Sequence, residues 1–104
     1  MSNAISNVSE KDFASFTAQG NVIIDFWASW CGPCRMQGRI LEQAEADFAA
    51  KSIKVGKVNV DEEGELARKF GVSSIPTLVL FKDGKAIKTL VGMQQADALI
   101  RLFD

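Results

Sequence analysis

A nearly continuous apolar run at residues 22–28 constrains the fold more than any other feature of this chain, and only Asp25 interrupts it. A strand at the surface alternates apolar and polar residues. A continuous run is typical of a strand buried on both faces, as in a parallel sheet. We therefore expect a sheet with helices on both sides, which is an α/β architecture.

The segments around this strand alternate between helical and extended patterns. Apolar spacing predicts helices at residues 10–18, 34–50, 63–70 and 95–103, and strands at 53–60, 77–81 and 86–91. Residues 82–85 carry a hairpin signal, so the last two strands should be antiparallel. The sequence thus predicts a central mixed β-sheet, with a parallel core and a C-terminal antiparallel hairpin, flanked by helices on both faces.

The bulk composition is that of one globular domain spanning residues 1–104. The chain is 47% hydrophobic and 24% charged, and its 12 basic and 13 acidic residues are well mixed. No basic stripe indicates nucleic-acid binding, and no apolar run approaches the ~20 residues that cross a membrane. The N-terminal residues lack the cationic start and apolar stretch of a secretory signal, so a cytoplasmic location is expected.

Cys31 and Cys34 carry the chemistry that the sequence offers, because the chain has no histidine to act as base or metal ligand. Both cysteines follow the buried strand and open a predicted helix, where residues three apart share one face. Free N–H groups and the positive end of the helix dipole favour a thiolate at the first sulfur. A thiolate attacks in disulfide exchange, so the spacing indicates a redox pair.

Two other roles for the cysteines stay open at this point. A structural disulfide closing so short a ring contributes only about 2 kcal/mol, against about 3 kcal/mol for a fifteen-residue loop. Structural zinc needs four ligands, so a second chain or carboxylates would have to complete the site. Redox exchange explains the motif better than either, and no metal site is expected.

Asp25 and Lys57 are charged residues inside predicted buried strands. Burial raises the pKa of a carboxyl group, and a nearby cation lowers it. A buried carboxylate below the redox pair is suited to take and return the Cys34 proton, with Lys57 as its partner. The alternatives are an acid facing a polar seam and a lysine that reaches solvent along its stem.

Aromatic and proline residues flank the cysteines. Trp27 continues the buried strand and is expected in the core, whereas Trp30 lies in the turn, where its indole can cover the disulfide and meet a partner. Pro33 suits the first turn of a helix. Pro76 precedes a strand; a cis bond is compatible with such a site, although an ordinary trans bond is the commoner state.

Four stretches, in order along the chain, resemble thioredoxins. They are Asp-Phe-Trp-Ala-Ser-Trp-Cys-Gly-Pro-Cys-Arg-Met at residues 25–36, and residues 57–61, 71–77 and 91–92. Trp-Cys-Gly-Pro-Cys followed downstream by Ile-Pro-Thr is highly specific, and the similarity covers essentially the whole chain. The resemblance implies the thioredoxin fold and a thiol–disulfide oxidoreductase that reduces protein disulfides by dithiol–disulfide exchange.

The resemblance also implies a role for each site residue. Cys31 would attack the client disulfide, and Cys34 would resolve the mixed disulfide. Asp25 would assist Cys34, with Lys57 nearby, and the bond before Pro76 would be cis. The docking surface for clients would be lined by residues on both sides of the cysteines: Trp30, Gly32, Pro33, Val60, Ser74, Ile75, Pro76, Val91, Gly92 and Met93.

Partners follow from the same resemblance. Electrons would come from a thioredoxin reductase, usually flavin-dependent and fed by NADPH, and pass to disulfide-containing client proteins. No bound cofactor is implied besides the redox-active disulfide Cys31–Cys34, and the protein would be a monomer. Two other functions stay open: a dedicated redox partner of one client enzyme, and a structural or processivity subunit with incidental thiols.

Three residues depart from the usual thioredoxin pattern. Arg39 stands where a proline usually kinks the second helix, so the usual cause of that kink is absent, whereas the redox step does not depend on it. Ser74 is often glycine in relatives, and Met93 is often a smaller residue. Both changes fall on the implied docking surface and bear on the choice of clients.

Overall fold

The computed structural model describes residues 5–104; residues 1–4, the start of the stretch that bears on a secretory signal, lie outside it. The strands are β1 (Ile5–Asn7), β2 (Asn21–Trp27), β3 (Ile53–Asn59), β4 (Thr77–Lys82) and β5 (Lys85–Val91). The helices are α1 (Glu10–Thr17), α2 (Gly32–Gln43), α3 (Glu45–Ala50), α4 (Gly64–Lys69) and α5 (Ala96–Arg101).

β2 lies at the centre of a five-stranded sheet with the order β1-β3-β2-β4-β5. It pairs in parallel with β3 and antiparallel with β4, while β1 extends the parallel part and β5 the antiparallel part. The expected mixed sheet is confirmed. In the hairpin turn, Asp83 and Gly84 have φ of 50° and 87°, the left-handed conformation that two-residue hairpins favour.

Different helices cover the two faces of the sheet, because alternate residues of β2 point to opposite sides. Val22, Ile24 and Phe26 pack with Phe13 of α1 and Leu66 of α4. Ile23 packs on the other face, with side chains from the three remaining helices: Leu41, Phe48 and Leu99. By the same alternation, the Asp25 carboxyl group lies on this second face, the one that α2 covers.

Two elements differ from the sequence prediction. The pattern does not predict β1, because three residues are too few to show a period; this strand forms through its parallel pairing with residues 55–57 of β3. The helix predicted over residues 34–50 is interrupted at Ala44, whose φ of −97° and ψ of 11° leave the helical region. α2 runs without interruption through Arg39.

Candidate active site

The two cysteines lie where the chain passes from β2 into α2. Cys31 is the N-cap of α2, and the exposed Gly32 and Pro33 begin its first turn. Cys31 and Cys34 form a disulfide, with their Cα atoms 5.2 Å apart. The backbone N–H of Cys34 donates a hydrogen bond to Cys31 Sγ at 3.2 Å. Because a helix start leaves such N–H groups without backbone partners, the same contact favours a thiolate at Cys31 when the pair is reduced.

Apolar side chains surround the disulfide and shield Cys34 from solvent more than Cys31. Cys31 is 6% exposed and Cys34 is 1% exposed, so Cys31 is the sulfur nearer to solvent. Trp27, Val60 and Ile75 pack against the pair. The carbonyl oxygen of Ile75 lies 3.8 Å from Cys31 Sγ. A backbone polar group therefore lies directly beside the more exposed sulfur.

A groove of about 210 Å³ lies beside the disulfide. Four of the residues expected in the docking surface line it together: Trp30, Val60, Ser74 and Ile75. Sequence reasoning missed three others that line it: Ala67, Val72 and Ser73. Trp30 is 67% exposed, and its Nε1 donates to Asp61 Oδ2 at 2.9 Å, so the indole is held over the groove by one polar contact.

The other expected docking residues lie in the first turn of α2, directly before β4 and around the end of β5. The Ile75–Pro76 bond is cis, as the resemblance implies. The buried Pro76 accepts a hydrogen bond at its carbonyl from the Gly92 N–H at 2.8 Å, which joins this segment to the residues after β5. Val91 and Met93, on either side of Gly92, are 65% and 45% exposed. These apolar side chains are thus available for contact with another protein.

Asp25 is fully buried at the centre of β2, and it faces the protein interior rather than a polar seam. Neither carboxyl oxygen has a hydrogen-bond partner among residues 5–104. Burial raises the pKa of Asp25 from 3.8 to about 7, and the positive charge of Lys57 opposes part of that rise. Lys57 is its register neighbour in β3. A carboxyl group with a pKa near 7 can hold or release a proton at neutral pH.

Lys57 lines a cavity of about 320 Å³ together with Trp27 and residues before α1 and after β3. Its Nζ lies 4.4 Å from the centre of the Trp27 ring, within cation–π distance. Gly38 of α2 leaves room for it, since a Cβ at that position would lie 3.3 Å from Nζ. The Lys57 side chain therefore extends from β3 towards α2, and its Nζ lies close to the helical turn that follows Cys34.

Residues 5–104 contain neither a metal-ligand cluster nor a membrane-spanning helix. Among residues 5–104, no three His, Cys, Asp or Glu side chains are grouped so that they could hold a metal ion. In that same part of the chain, each helix is too short or too polar to cross a membrane.

Proteins of known sequence and structure resemble this chain along nearly all of its length. The thioredoxin family profile matches residues 4–104. A thioredoxin of Chlamydia caviae is 52% identical over 97 residues, which cover 93% of each chain. A thioredoxin of Bacillus subtilis is 43% identical over 99 residues, covering 95% of this chain and 94% of that one.

Solved structures agree with these sequence matches. The thioredoxin of Malassezia sympodialis has a TM-score of 0.85 and 36% identity, covering 95% of this chain and 92% of that chain. A mutant thioredoxin from Halobacterium salinarum has a TM-score of 0.86 and 35% identity, covering 97% and 88%.

Proposed function

Because the chain belongs to the thioredoxin family and is a thiol–disulfide oxidoreductase that reduces protein disulfides, we propose that Cys31 is its nucleophile and Cys34 its resolving thiol. The observation that carries this assignment is the hydrogen bond from the Cys34 N–H to Cys31 Sγ at the start of α2. It supports stabilisation of the Cys31 thiolate in the reduced protein. The greater exposure of Cys31 supports it as the sulfur that a client reaches.

The exchange proceeds in two thiolate attacks. The Cys31 thiolate attacks one sulfur of a client disulfide, forms a mixed disulfide and displaces the first client thiolate. Cys34 then loses its proton and attacks Cys31 Sγ, which releases the second client thiolate and closes the Cys31–Cys34 disulfide. Two electrons pass to the client, and its two thiolates take up protons.

Asp25 and Lys57 are proposed to handle the proton of Cys34. The pKa of Asp25, near 7, supports this role because such a group accepts a proton at neutral pH and returns it in the reverse reaction. Lys57 adjoins both Asp25 in the sheet and Gly38 in α2, which supports a proton site beneath the helix that carries Cys34. When Asp25 ionises, the nearby ammonium group partly compensates the charge.

We expect Asp25→Ala to keep the fold but to slow release of the mixed disulfide near neutral pH by about tenfold or more, since a positioned base typically contributes at least that much. Single-turnover reduction of insulin between about pH 6 and pH 9 measures this step. The Lys57→Met variant is the companion, because it keeps the carboxyl group and removes only its cation. Equal rates for Asp25→Ala and wild type over the whole range would contradict the proposed role.

The docking surface is proposed to comprise the groove beside Trp30, the first turn of α2 and the residues around the end of β5. Apolar exposure near the reacting sulfur supports it, because large exposed apolar side chains are common where proteins meet. Its members are Trp30, Gly32, Pro33, Val60, Ser74, Ile75, Pro76, Val91, Gly92 and Met93.

We propose that the protein acts as a monomeric single domain, residues 1–104, in the cytoplasm. It would receive electrons from a thioredoxin reductase, pass them to disulfide-containing clients, and bind no cofactor besides its own disulfide. Insulin reduction fed by NADPH and a thioredoxin reductase tests the donor. A dedicated partner of one enzyme would leave insulin oxidised, and a structural subunit with incidental thiols would reduce no client.

The Cys34→Ser variant tests the nucleophile assignment directly. The attack by Cys31 still occurs in this variant, but the resolving thiol is gone, so we expect a stable covalent adduct with insulin that dithiothreitol releases. Cys31→Ser is the matched control, because it keeps one thiol in the same site and should form almost no adduct. Mass spectrometry identifies the linked residue. Adducts through Cys34 in the control, with none through Cys31 in the test variant, would reverse the assignment.

A further inference from the structure

Gln37 is a polar residue that the exchange reaction does not use, yet it is fully buried in α2, one turn after Cys34. Burying an amide is unfavourable unless its polar atoms have partners. Both do here. Gln37 Oε1 accepts a hydrogen bond from the Gln94 N–H at 2.7 Å, and Gln37 Nε2 donates to the Gln94 carbonyl at 2.9 Å. The side-chain amide thus pairs with the backbone of one residue through two bonds.

Gln94 ends the segment 92–94, which follows β5 and lies outside the regular elements. At its other end, the Gly92 N–H is bonded to the Pro76 carbonyl at 2.8 Å. Met93 stands between these two anchors and is 45% exposed. One anchor therefore joins the segment to the chain beside Cys31, and the other joins it to the helix that begins at the redox pair.

We propose that Gln37 is a positioning residue for client binding, which holds segment 92–94 against α2 and so fixes Met93 relative to Cys31. The inference rests on the proposed docking surface and adds to it a residue that touches neither client nor sulfur. A neutral amide suits the task because it presents one donor and one acceptor together. A carboxylate would meet the Gln94 N–H but would repel the Gln94 carbonyl.

Gln37 should affect the binding of a protein client and not the disulfide exchange itself, and two substrates of different size distinguish these effects. Insulin is a protein disulfide large enough to contact segment 92–94. Bis(2-hydroxyethyl) disulfide reaches the sulfur of Cys31 but is too small to contact that segment as well. Loss of positioning should weaken the reaction with insulin and leave the reaction with the small disulfide unchanged.

We expect Gln37→Met, which keeps the length of the side chain and removes both hydrogen bonds, to raise KM for insulin by about fivefold or more, the fold-change expected for loss of two buried hydrogen bonds. The kcat for insulin and the rate with bis(2-hydroxyethyl) disulfide should each stay within about twofold of wild type. Exchange of the Gln94 amide hydrogen, followed by NMR, should become faster. Gln43→Met is the matched control, because Gln43 is exposed on the same helix.

The Gln37→Leu variant likewise removes both hydrogen bonds, so its KM for insulin should rise as in Gln37→Met; it carries the test if Gln37→Met does not fold. An unchanged KM for insulin in a folded variant would overturn the proposal, as would an equal loss with both substrates, which would place the effect at the sulfurs. A wild-type protein that reduces neither disulfide would instead contradict the proposed function.

Discussion

The free energy of unfolding of oxidised Asp25→Ala, measured relative to wild type, is expected to increase by about 4 kcal/mol between pH 4 and pH 8. In the folded wild type, burial raises the pKa of this carboxyl group from 3.8 to about 7. Between those values the unfolded chain has lost the proton and the folded chain still holds it. The contribution of Asp25 to wild-type stability therefore falls as pH rises through this window, by about 1.4 kcal/mol per pH unit, and levels off above pH 7.

Urea unfolding of the oxidised wild type and Asp25→Ala, repeated across this pH range, measures the effect as a difference between two curves. The other carboxyl groups are common to both proteins, and the cavity left by the shorter side chain does not depend on pH. Neither therefore changes how the stability difference between the two proteins varies with pH. In Lys57→Met the pKa of Asp25 should rise further, because the cation that lowers it is gone. A difference that stays flat with pH would show that Asp25 is not desolvated.

Cys31→Ser is expected to reduce disulfide-reductase activity by at least about a thousandfold, because a hydroxyl at this position does not ionise near neutral pH and cannot replace the thiolate. Insulin reduction with dithiothreitol as donor, corrected for the uncatalysed rate, gives this value. The Cys34→Ser variant has a different defect, since its first attack remains fast and only its turnover stops. Retention of full activity by Cys31→Ser would place the nucleophile elsewhere.

Alkylation of the reduced wild type tests whether the start of α2 stabilises the Cys31 thiolate. Helix-start N–H groups and the dipole stabilise a negative charge by about 1 to 2 kcal/mol, so at pH 6 iodoacetamide should label Cys31 about five- to thirtyfold faster than the same residue in urea. Cys34, the less exposed residue, should react slowly in the folded protein. A labelling rate for Cys31 that does not change on unfolding would remove the basis for the nucleophile assignment.

The parts of this molecule that the sequence predicts are those in which local pattern and global fold agree. The apolar run that forms β2 is buried in the centre of the sheet, and the cysteine motif directly after it opens a helix, where Cys31 is the N-cap. The hairpin signal at Asp83-Gly84 is confirmed for the same reason, since the backbone of the turn is set by those two residues. Asp25 is recognisable because a charge in such a run is rare.

Other features depend on residues far apart in the chain. β1 forms through its parallel pairing with β3, which lies about fifty residues further along the chain. The burial of Gln37 has no local signal, because glutamine at this point of a helix is compatible with a solvent-facing position. Its partner is 57 residues away in the chain. Such contacts cannot be predicted from local sequence patterns, because the residues that form them are far apart in the chain.

The central position of β2 has a consequence for how the protein responds to heat. Fraying begins at strands with a free edge, and here those are β1 and β5, each separated from β2 by another strand. A disturbance at either margin must therefore break a second pair of strands before it reaches the residues that lead into the disulfide. The disulfide is therefore attached to the last part of the sheet to come apart, so on warming its surroundings should persist until the whole fold melts.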